Sequence, residues 1–366
     1  MTNNSFVSDS GILKALVLCA GKGTRLRPLT DSIAKPLIPV ANRSILFYIF
    51  DQIKDAGIKE IGLVVSPDNQ IQLENAVGDG TNFGLEVKYI IQSEPKGLAH
   101  AVRASQDFLG NSSFLLFLGD NLIQGSLGNI ITRFNISGCD SLIMLKEVSD
   151  PRMFGVAELN STGEVVRLVE KPKEPKSNLA MVGVYLFTSV IHRAIGKIKP
   201  SWRNELEITD AIQWLIENDK VVLSDTVCGW WLDTGKKEDL LAANRVVLDE
   251  FTERKMRGDI DSNSLVEGRV DLSDNVVLIN STIHGPAAVG KDCLIKNSKI
   301  GPFTSIGDGT SINGSIIENS IMLSGCRISN INLKDSAIGM NVEITRRSDD
   351  KTTVNLFVGS YSKVEL

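Results

Sequence analysis

Arg25 and Lys35 stand ten residues apart at the far end of an apolar run, Leu16-Val17-Leu18-Cys19-Ala20, with Gly21-Lys22-Gly23-Thr24 leading into the arginine and Pro36 following the lysine. Glycine permits positive φ and lets backbone amides approach phosphate oxygens closely. Arginine offers phosphate a planar fork and lysine a point charge. A strand that ends in such a loop is therefore a polyphosphate site, with two cations to offset the charge of a departing group. Two familiar phosphate loops are excluded. The Walker pattern is absent, and Leu26 stands where a dinucleotide fingerprint needs its third glycine. A second apolar run, 114–118, leads through Gly119 to Asp120. A carboxylate at a strand end, among phosphates, asks for Mg²⁺.

These groups need a scaffold with strand ends on one side. Segments 14–18, 61–65, 87–91, 114–118 and 142–145 are short and nearly all apolar, as in a sheet covered on both faces. Amphipathic stretches at 45–53, 97–109 and 127–134 separate them, and Gly57 suits a helix C-cap. The alternation predicts an α/β domain with right-handed crossovers and ligands at the carboxyl ends of its strands. Segments 156–159 and 165–169, around Ser161-Thr162-Gly163, form a hairpin that breaks the parallel order. A strand at 179–187 follows, then helices near 190–195, 207–217 and 237–250. After residue 258, apolar residues recur every six positions: Val277, Ile283, Val289, Ile295; then Ile300, Ile306, Ile312; then Ile317, Leu323. Hexads of this kind predict a parallel β-helix with three hexads per triangular coil. A β-sandwich is the competing architecture, but its strands seldom hold a six-residue register. Segment 352–358 alternates like a strand that caps the stack or pairs with the other domain. The expected organisation is a disordered tail over 1–11, an α/β domain over 12–250 and a β-helix over 258–366.

The chain has 366 residues, 42% of them hydrophobic and 23% charged, which fits about two globular domains. A net charge of −5 with scattered cations argues against nucleic acid as a partner. No apolar run reaches the ~20 residues of a membrane span, and the polar first ten residues do not read as a signal peptide. Five widely spaced cysteines without a CxxC pair fit reduced thiols in the cytoplasm.

The motif Gly-x-Gly-Thr-Arg-Leu-x-Pro-Leu-Thr, followed by Lys-Pro-Leu-x-Pro-Val, resembles the signature of the sugar-1-phosphate nucleotidylyltransferases. The chain is most similar to their long-type glucose-1-phosphate thymidylyltransferase branch, along nearly its whole length. The resemblance implies a Rossmann-like mixed-sheet nucleotidyltransferase domain followed by a left-handed β-helix. It implies that Leu18, Ala20, Gly21, Gly23, Thr24 and Arg25 contact the nucleotide, with Lys35 on the pyrophosphate side. Gln92 and Gly97, in Gln92-Ser93-Glu94-Pro95-Lys96-Gly97, would read the pyrimidine base. An amide can meet both a ring N–H and a carbonyl. Asp120, and Asp233 in Trp230-Trp231-Leu232-Asp233-Thr234-Gly235, would converge on one Mg²⁺. Phe154 and Gly155 would line the sugar pocket, with phenylalanine where tyrosine is frequent. In the Glu170-Lys171-Pro172 motif, Glu170 would bond sugar hydroxyls and Lys171 the sugar phosphate. Gly183 and Tyr185 would lie on the pocket strand, and Arg203 would approach the sugar phosphate, with Asn204 beside it in place of the usual small residue. Arg25, Lys35 and Lys171 are the implied catalytic residues.

The reaction implied is transfer of a nucleoside monophosphate from dTTP to glucose 1-phosphate, giving dTDP-glucose and pyrophosphate. Uridylyl transfer from UTP, or use of another hexose 1-phosphate, is the nearest alternative, since thymine and uracil present one edge. From other classes come a non-catalytic regulatory subunit, which tends to lose the loop arginine, lysines or carboxylates kept here, and an acyltransferase using His284 as base, against which a structural histidine weighs more heavily. The β-helix is expected to support a homo-oligomer.

Overall fold

The structure, a computed structural model, describes residues 13–347, 350 and 352–366. The tail expected over 1–11 lies outside them. The chain forms two compact units, one comprising the chain through Gly21 with Leu46–Trp231, the other Lys22–Ile45 with Leu232–Leu366.

The first unit is built on a mixed sheet. Its order is Val165–Glu170, Gly155–Leu159, Leu179–Phe187, Phe114–Leu118, Lys14–Leu18, Glu60–Val65, Glu86–Ile91, with Ser141–Glu147 also paired to Leu179–Phe187 and Val222–Thr226 paired to Ser141–Glu147. Lys14–Leu18 is parallel to both of its neighbours, whereas Leu179–Phe187 runs antiparallel to Phe114–Leu118 and to Ser141–Glu147. Fully buried Leu16, Leu116 and Phe187 show why these apolar runs form the centre. Burial on both faces does not reach the edge strand Glu86–Ile91, which exposes Glu86, Lys88 and Ile91. The helix expected over 97–109 is two, Leu98–Ala104 and Gln106–Leu109. The Ser105 hydroxyl donates to the Ala101 carbonyl at 2.9 Å, and its N–H is shared between the Ala101 and Val102 carbonyls. No helix among the described residues is long and apolar enough to cross a membrane. Cys19, Cys139, Cys293 and Cys326 are buried free thiols, and Cys228 is an exposed one.

His192 sits against this core, 6.1 Å from the Phe114 ring centroid, and both its ring nitrogens are buried without a hydrogen-bond partner among the described residues. Burial lowers its pKa. The unfolded chain, with histidine near 6.5, therefore binds the proton first. Stability is full above about pH 6.5 and falls as pH drops from there through the folded value. His192→Leu is expected to raise stability by about 1 kcal/mol at neutral pH and to flatten this acid decline. Urea midpoints at pH 7.5 and 5.5 check both effects.

In the second unit, three parallel sheets with seven, seven and six short strands among the described residues stack into the expected left-handed β-helix. One inward row runs Ile283, Ile300, Ile317, Leu333 and Val354. From Leu265 on, the coils repeat every 17 residues and then every 16, and the last spans 20 to 21. The inward register corrects the hexad reading at two places: Leu278, not Val277, faces the core, and Met322 takes the place aligned with Ile306 and Ile338. One corner is a residue short in the 17-residue coils and two are in the 16-residue coils, so counting six back from Ile283 or six on from Ile317 lands one position off the row. Corners are turned by asparagines in the left-handed region, such as Asn280 (φ 46°) and Asn297 (φ 48°). Their side chains form a ladder, with Asn280 Nδ2 donating to Asn297 Oδ1 at 2.8 Å. Inside the same corner, Ser281, Ser298 and Ser315 each accept the N–H one coil on. The strand expected over 352–358 is instead two rungs of the helix, Thr353–Val354 and Phe357–Val358, paired in parallel with Asn332–Lys334 and Ala337–Ile338. His284 is half-exposed on the outer surface, with Nδ1 3.0 Å from Glu267 Oε2.

Segment 22–45 packs on this stack. Its hairpin, Pro39–Val40 with Arg43–Ser44, turns at Ala41 (φ 48°) and Asn42 (φ 62°). Positive φ at both centres matches the twist of a two-residue hairpin but costs an alanine about 1 kcal/mol. Buried Asn244, on helix Lys237–Phe251, holds the turn. Its Oδ1 accepts from Ala41 N at 2.8 Å and from Ser305 Oγ at 2.9 Å. Asn42 Nδ2 donates to the Ile306 carbonyl at 2.8 Å.

Candidate active site

In the second unit the Thr24–Leu26 turn starts from Gly23, which has φ 61°. Gly21, expected to share that freedom, does not use it: its φ is not positive. A Cβ on Gly23 would stand 2.8 Å from Thr30 Cγ2 and 3.2 Å from Lys35 Cβ, so the glycine lets the loop close over the lysine. Lys35 is 8% exposed, at the start of the turn Lys35–Leu37. Arg25 is exposed, and its guanidinium lies over Gly235, where a Cβ would be 2.8 Å from Nη2 and 3.0 Å from Cζ. Gly235, two residues beyond Asp233, is thus a seat for Arg25 that no sequence pattern points to. Gly235→Ala is expected to displace the guanidinium and lower kcat about 10-fold, with little change in Tm because the clash is with the end of a flexible chain. Steady-state kinetics beside a thermal melt check it.

In the first unit, the loop following Lys14–Leu18 meets the loop following Phe114–Leu118. Gly119 N donates to the Leu18 carbonyl at 2.9 Å, and a Cβ on Gly119 would run into Cys19 Sγ. This brings Asp120 beside Cys19, whose thiol pKa is raised first by burial and then by the Asp120 charge. Ala20 is buried in the same turn. Asn121, 2% exposed, organises what surrounds Asp120. Its Nδ2 donates to Asp120 Oδ1 at 2.8 Å, and its Oδ1 accepts from Trp231 Nε1 at 2.6 Å and from Gly183 N at 3.3 Å. A Cβ on Gly183 would stand 2.8 Å from Asn121 Cγ, which explains that glycine. Asn121 drew no role from the sequence, because an amide beside a strand-end aspartate carries no pattern.

Beyond Trp231 lies the second cluster. The Phe154 and Trp231 rings are 5.0 Å apart, and the Phe154 carbonyl accepts from Lys171 N at 3.0 Å. Lys171 holds φ 44°, with Nζ 3.7 Å from Glu170 Oε1. A Cβ on Gly155 would be 2.7 Å from Thr209 Cγ2 and 3.3 Å from Glu170 Oε2. Thr209, which the sequence did not single out, also donates to that carboxylate at 3.4 Å. Burial, then the Glu207 charge, raises the Glu170 pKa against the opposing pull of Lys171 and Arg203. Arg203 is engaged by three carboxylates: Glu207 at 2.8 Å, Glu205 at 2.9 Å and Glu170 at 3.5 Å. Burial opposes its charge most strongly, but the Glu207 hydrogen bonds together with the charges of Glu207, Glu205 and Glu170 outweigh that and hold its pKa above the ordinary value. Tyr185 is 4% exposed, stacked on Phe187 inside the core. Burial, then the Glu170 charge, raises its pKa.

The third cluster joins Gln92 to Gly97. Gln92, 8% exposed, donates from Nε2 to the Gly97 carbonyl at 3.1 Å and is 3.0 Å from His100 Nδ1. Gly97 has φ 95°, and a Cβ there would meet the Leu206 backbone, whose N–H donates to the Lys96 carbonyl at 2.7 Å. His100 is a further residue that sequence reasoning passed over.

Comparison with known proteins places these clusters in context. A family model described as Nucleotidyl transferase matches residues 14–250. The glucose-1-phosphate thymidylyltransferase of Streptomyces griseus is 45% identical over 355 residues, covering 97% of this chain and 99% of that protein. The low-salt glycan biosynthesis nucleotidyltransferase Agl11 of Haloferax volcanii is 38% identical over 340 residues, 92% of this chain and 95% of its own. A crystal structure of UDP-glucose pyrophosphorylase complexed with UDP-glucose matches with a TM-score of 0.59 at 26% identity, covering 65% of this chain and 99% of that one.

Proposed function

Since the chain belongs to the nucleotidyl transferase family, whose members join the nucleoside monophosphate of an NTP to a sugar 1-phosphate, we propose that it joins dTTP to glucose 1-phosphate, giving dTDP-glucose and pyrophosphate. The observation that carries the choice of pair is the 45% identity with the Streptomyces thymidylyltransferase over 97% of this chain. A sugar phosphate is already a charged nucleophile and needs no general base, so catalysis rests on positioning and on electrostatic stabilisation at the α-phosphorus. Lys171 orients the attacking phosphate, and Glu170, Gly155 and Phe154 bind the sugar, with Gly183, Tyr185 and Arg203 supporting that pocket. Leu18, Ala20, Gly21, Gly23 and Thr24 hold the nucleotide, and Gln92 and Gly97 read its base. Arg25 and Lys35 neutralise charge developing on the departing pyrophosphate.

Nucleotidyltransferases of this family work with a divalent metal, and Mg²⁺ is the ion proposed, on Asp120 and Asp233. Carboxylate oxygens are the donors that this hard cation takes. Among the described residues no group of three His, Cys, Asp or Glu side chains is placed to hold an ion, and a hard cation that keeps waters and takes phosphate oxygens needs no such cage. When bound, it would offset charge on the substrate phosphates. The free cysteines support a cytoplasmic place of action, and the β-helix a homo-oligomer. A pyrophosphate-release panel crossing dTTP, UTP, CTP, ATP and GTP with several sugar 1-phosphates tests the pair. The highest kcat/KM is expected for dTTP with glucose 1-phosphate, and a higher value for UTP or another sugar replaces that assignment.

A further inference from the structure

We infer that His100 is a specificity-determining positioning residue, whose Nδ1 locks the Gln92 amide in the one orientation that selects a pyrimidine carrying an N3–H. The inference rests on the reading of Gln92 as the base-recognising residue. The Gly97 carbonyl can only accept, so the Gln92 atom 3.1 Å from it is the amide nitrogen. The second hydrogen of that nitrogen points to His100 Nδ1 at 3.0 Å, which must then be the unprotonated ring nitrogen, with the imidazole proton on Nε2. Both amide hydrogens are thereby spent within the protein. Gln92 Oε1, which accepts nothing among the described residues, is what the side chain offers a ligand. The sequence-based expectation that the amide meets both a ring N–H and a carbonyl is narrowed to the ring N–H alone. The base carbonyl falls to the Gly97 N–H, which donates to no group among the described residues.

Thymine and uracil present a donor at N3, and cytosine presents an acceptor there. An Oε1 held in place accepts from the first and repels the second. If the amide turned over, its NH₂ would face the base and the preference would reverse. The Gly97 carbonyl resists that rotation by one hydrogen bond and His100 by another, so removing His100 removes about half of the restraint.

A protonated imidazole donates from both nitrogens and cannot accept from Gln92. The lock therefore opens as His100 gains a proton. The charged groups acting on His100 are Arg103 on its own helix and Lys96 and Glu94 on the preceding loop. The packed helices Val190–Ile195 and Ile208–Glu217 contribute none. Burial first, then Arg103 and Lys96, keep His100 below the ordinary histidine value against the pull of Glu94, so the neutral, accepting form prevails at neutral pH.

The test is the ratio of kcat/KM for dTTP over dCTP, measured with the full-length enzyme. His100→Ala is expected to lower it about 10-fold at pH 7.5, the worth of one neutral hydrogen bond, with the loss falling on KM for dTTP rather than on kcat. In the unaltered enzyme the ratio falls as pH is lowered from 7.5 to 5.5. His100→Gln, which keeps an acceptor at that place but does not titrate, holds the ratio and removes its pH dependence. Gln92→Leu is the control for the underlying reading. If Gln92→Leu collapses the ratio while His100→Ala leaves it unchanged, His100 has no such role. If Gln92→Leu leaves it unchanged, Gln92 does not read the base, and both statements fall.

Discussion

Asp120→Asn is expected to cut turnover by on the order of 10²–10³, the loss seen when one preorganised charge-stabilising group is removed. The substitution keeps size and shape. The amide that replaces the carboxylate still offers an oxygen to Asn121 Nδ2, now 2.8 Å from Asp120 Oδ1. The bonds from Asn121 to Trp231 and Gly183 stay. The melting temperature and far-UV circular dichroism should therefore match the unaltered chain, which separates a lost metal ligand from a lost fold. A readout apart from turnover is Mn²⁺ affinity followed by its electron paramagnetic resonance signal, expected to weaken in Asp120→Asn and in Asp233→Asn alike. Retained turnover and Mn²⁺ binding in either variant would remove that aspartate from the metal site.

Lys171→Asn carries the second large effect, a fall of about 10² in kcat/KM for the sugar phosphate with KM for the nucleotide little changed. Asparagine is chosen because Lys171 holds φ 44°, a region that asparagine tolerates, so the loop survives while the cation goes. The pH profile adds an independent sign. Burial and then Glu207 raise the Glu170 pKa from its ordinary value, and Lys171 is among the charges that hold it down. Ionised Glu170 is present above its pKa and lost as pH falls through it. Removing Lys171 raises that pKa further, so the acid limb of the kcat/KM profile moves to higher pH. An acid limb that stays in place would show that Glu170 does not bind sugar in its ionised form.

Much of the site was readable because its parts sit in short, continuous motifs. Gly23, Arg25 and Lys35 lie within one loop, Glu170 and Lys171 are neighbours, and Gln92 and Gly97 are five residues apart, so local spacing suffices to single them out. The residues that orient them were not readable for the opposite reason. Asn121 matters because Trp231 and Gly183 come to it from elsewhere in the chain. Gly235 matters because Arg25 lies on it. Thr209 and His100 matter through Glu170 and Gln92. A pairwise contact between distant positions leaves no periodicity and no spacing in either segment. The hexad register failed at Val277 and Leu323 in the same way. The period is set by coils of 17, then 16 and finally 20 to 21 residues closing on one another, not by a fixed local step.

Taken by itself, then, the order of residues determined the chemistry on offer: a glycine loop with two cations, carboxylates at strand ends, alternating strands and helices, and a hexad stack that must bury its inner face as a whole. Those are consequences of composition and local geometry. Only the tertiary structure decided that segment 22–45 is compacted with the β-helix, where Asn244 and the Ile306 carbonyl hold its hairpin, although the chain enters and leaves it from the other unit. Beside the hairpin twist, a buried amide 203 residues away supports the left-handed backbone of Ala41 by accepting its N–H. Closing so long a loop costs entropy that no local pattern repays, so the contact becomes visible only once the β-helix and helix Lys237–Phe251 have been built.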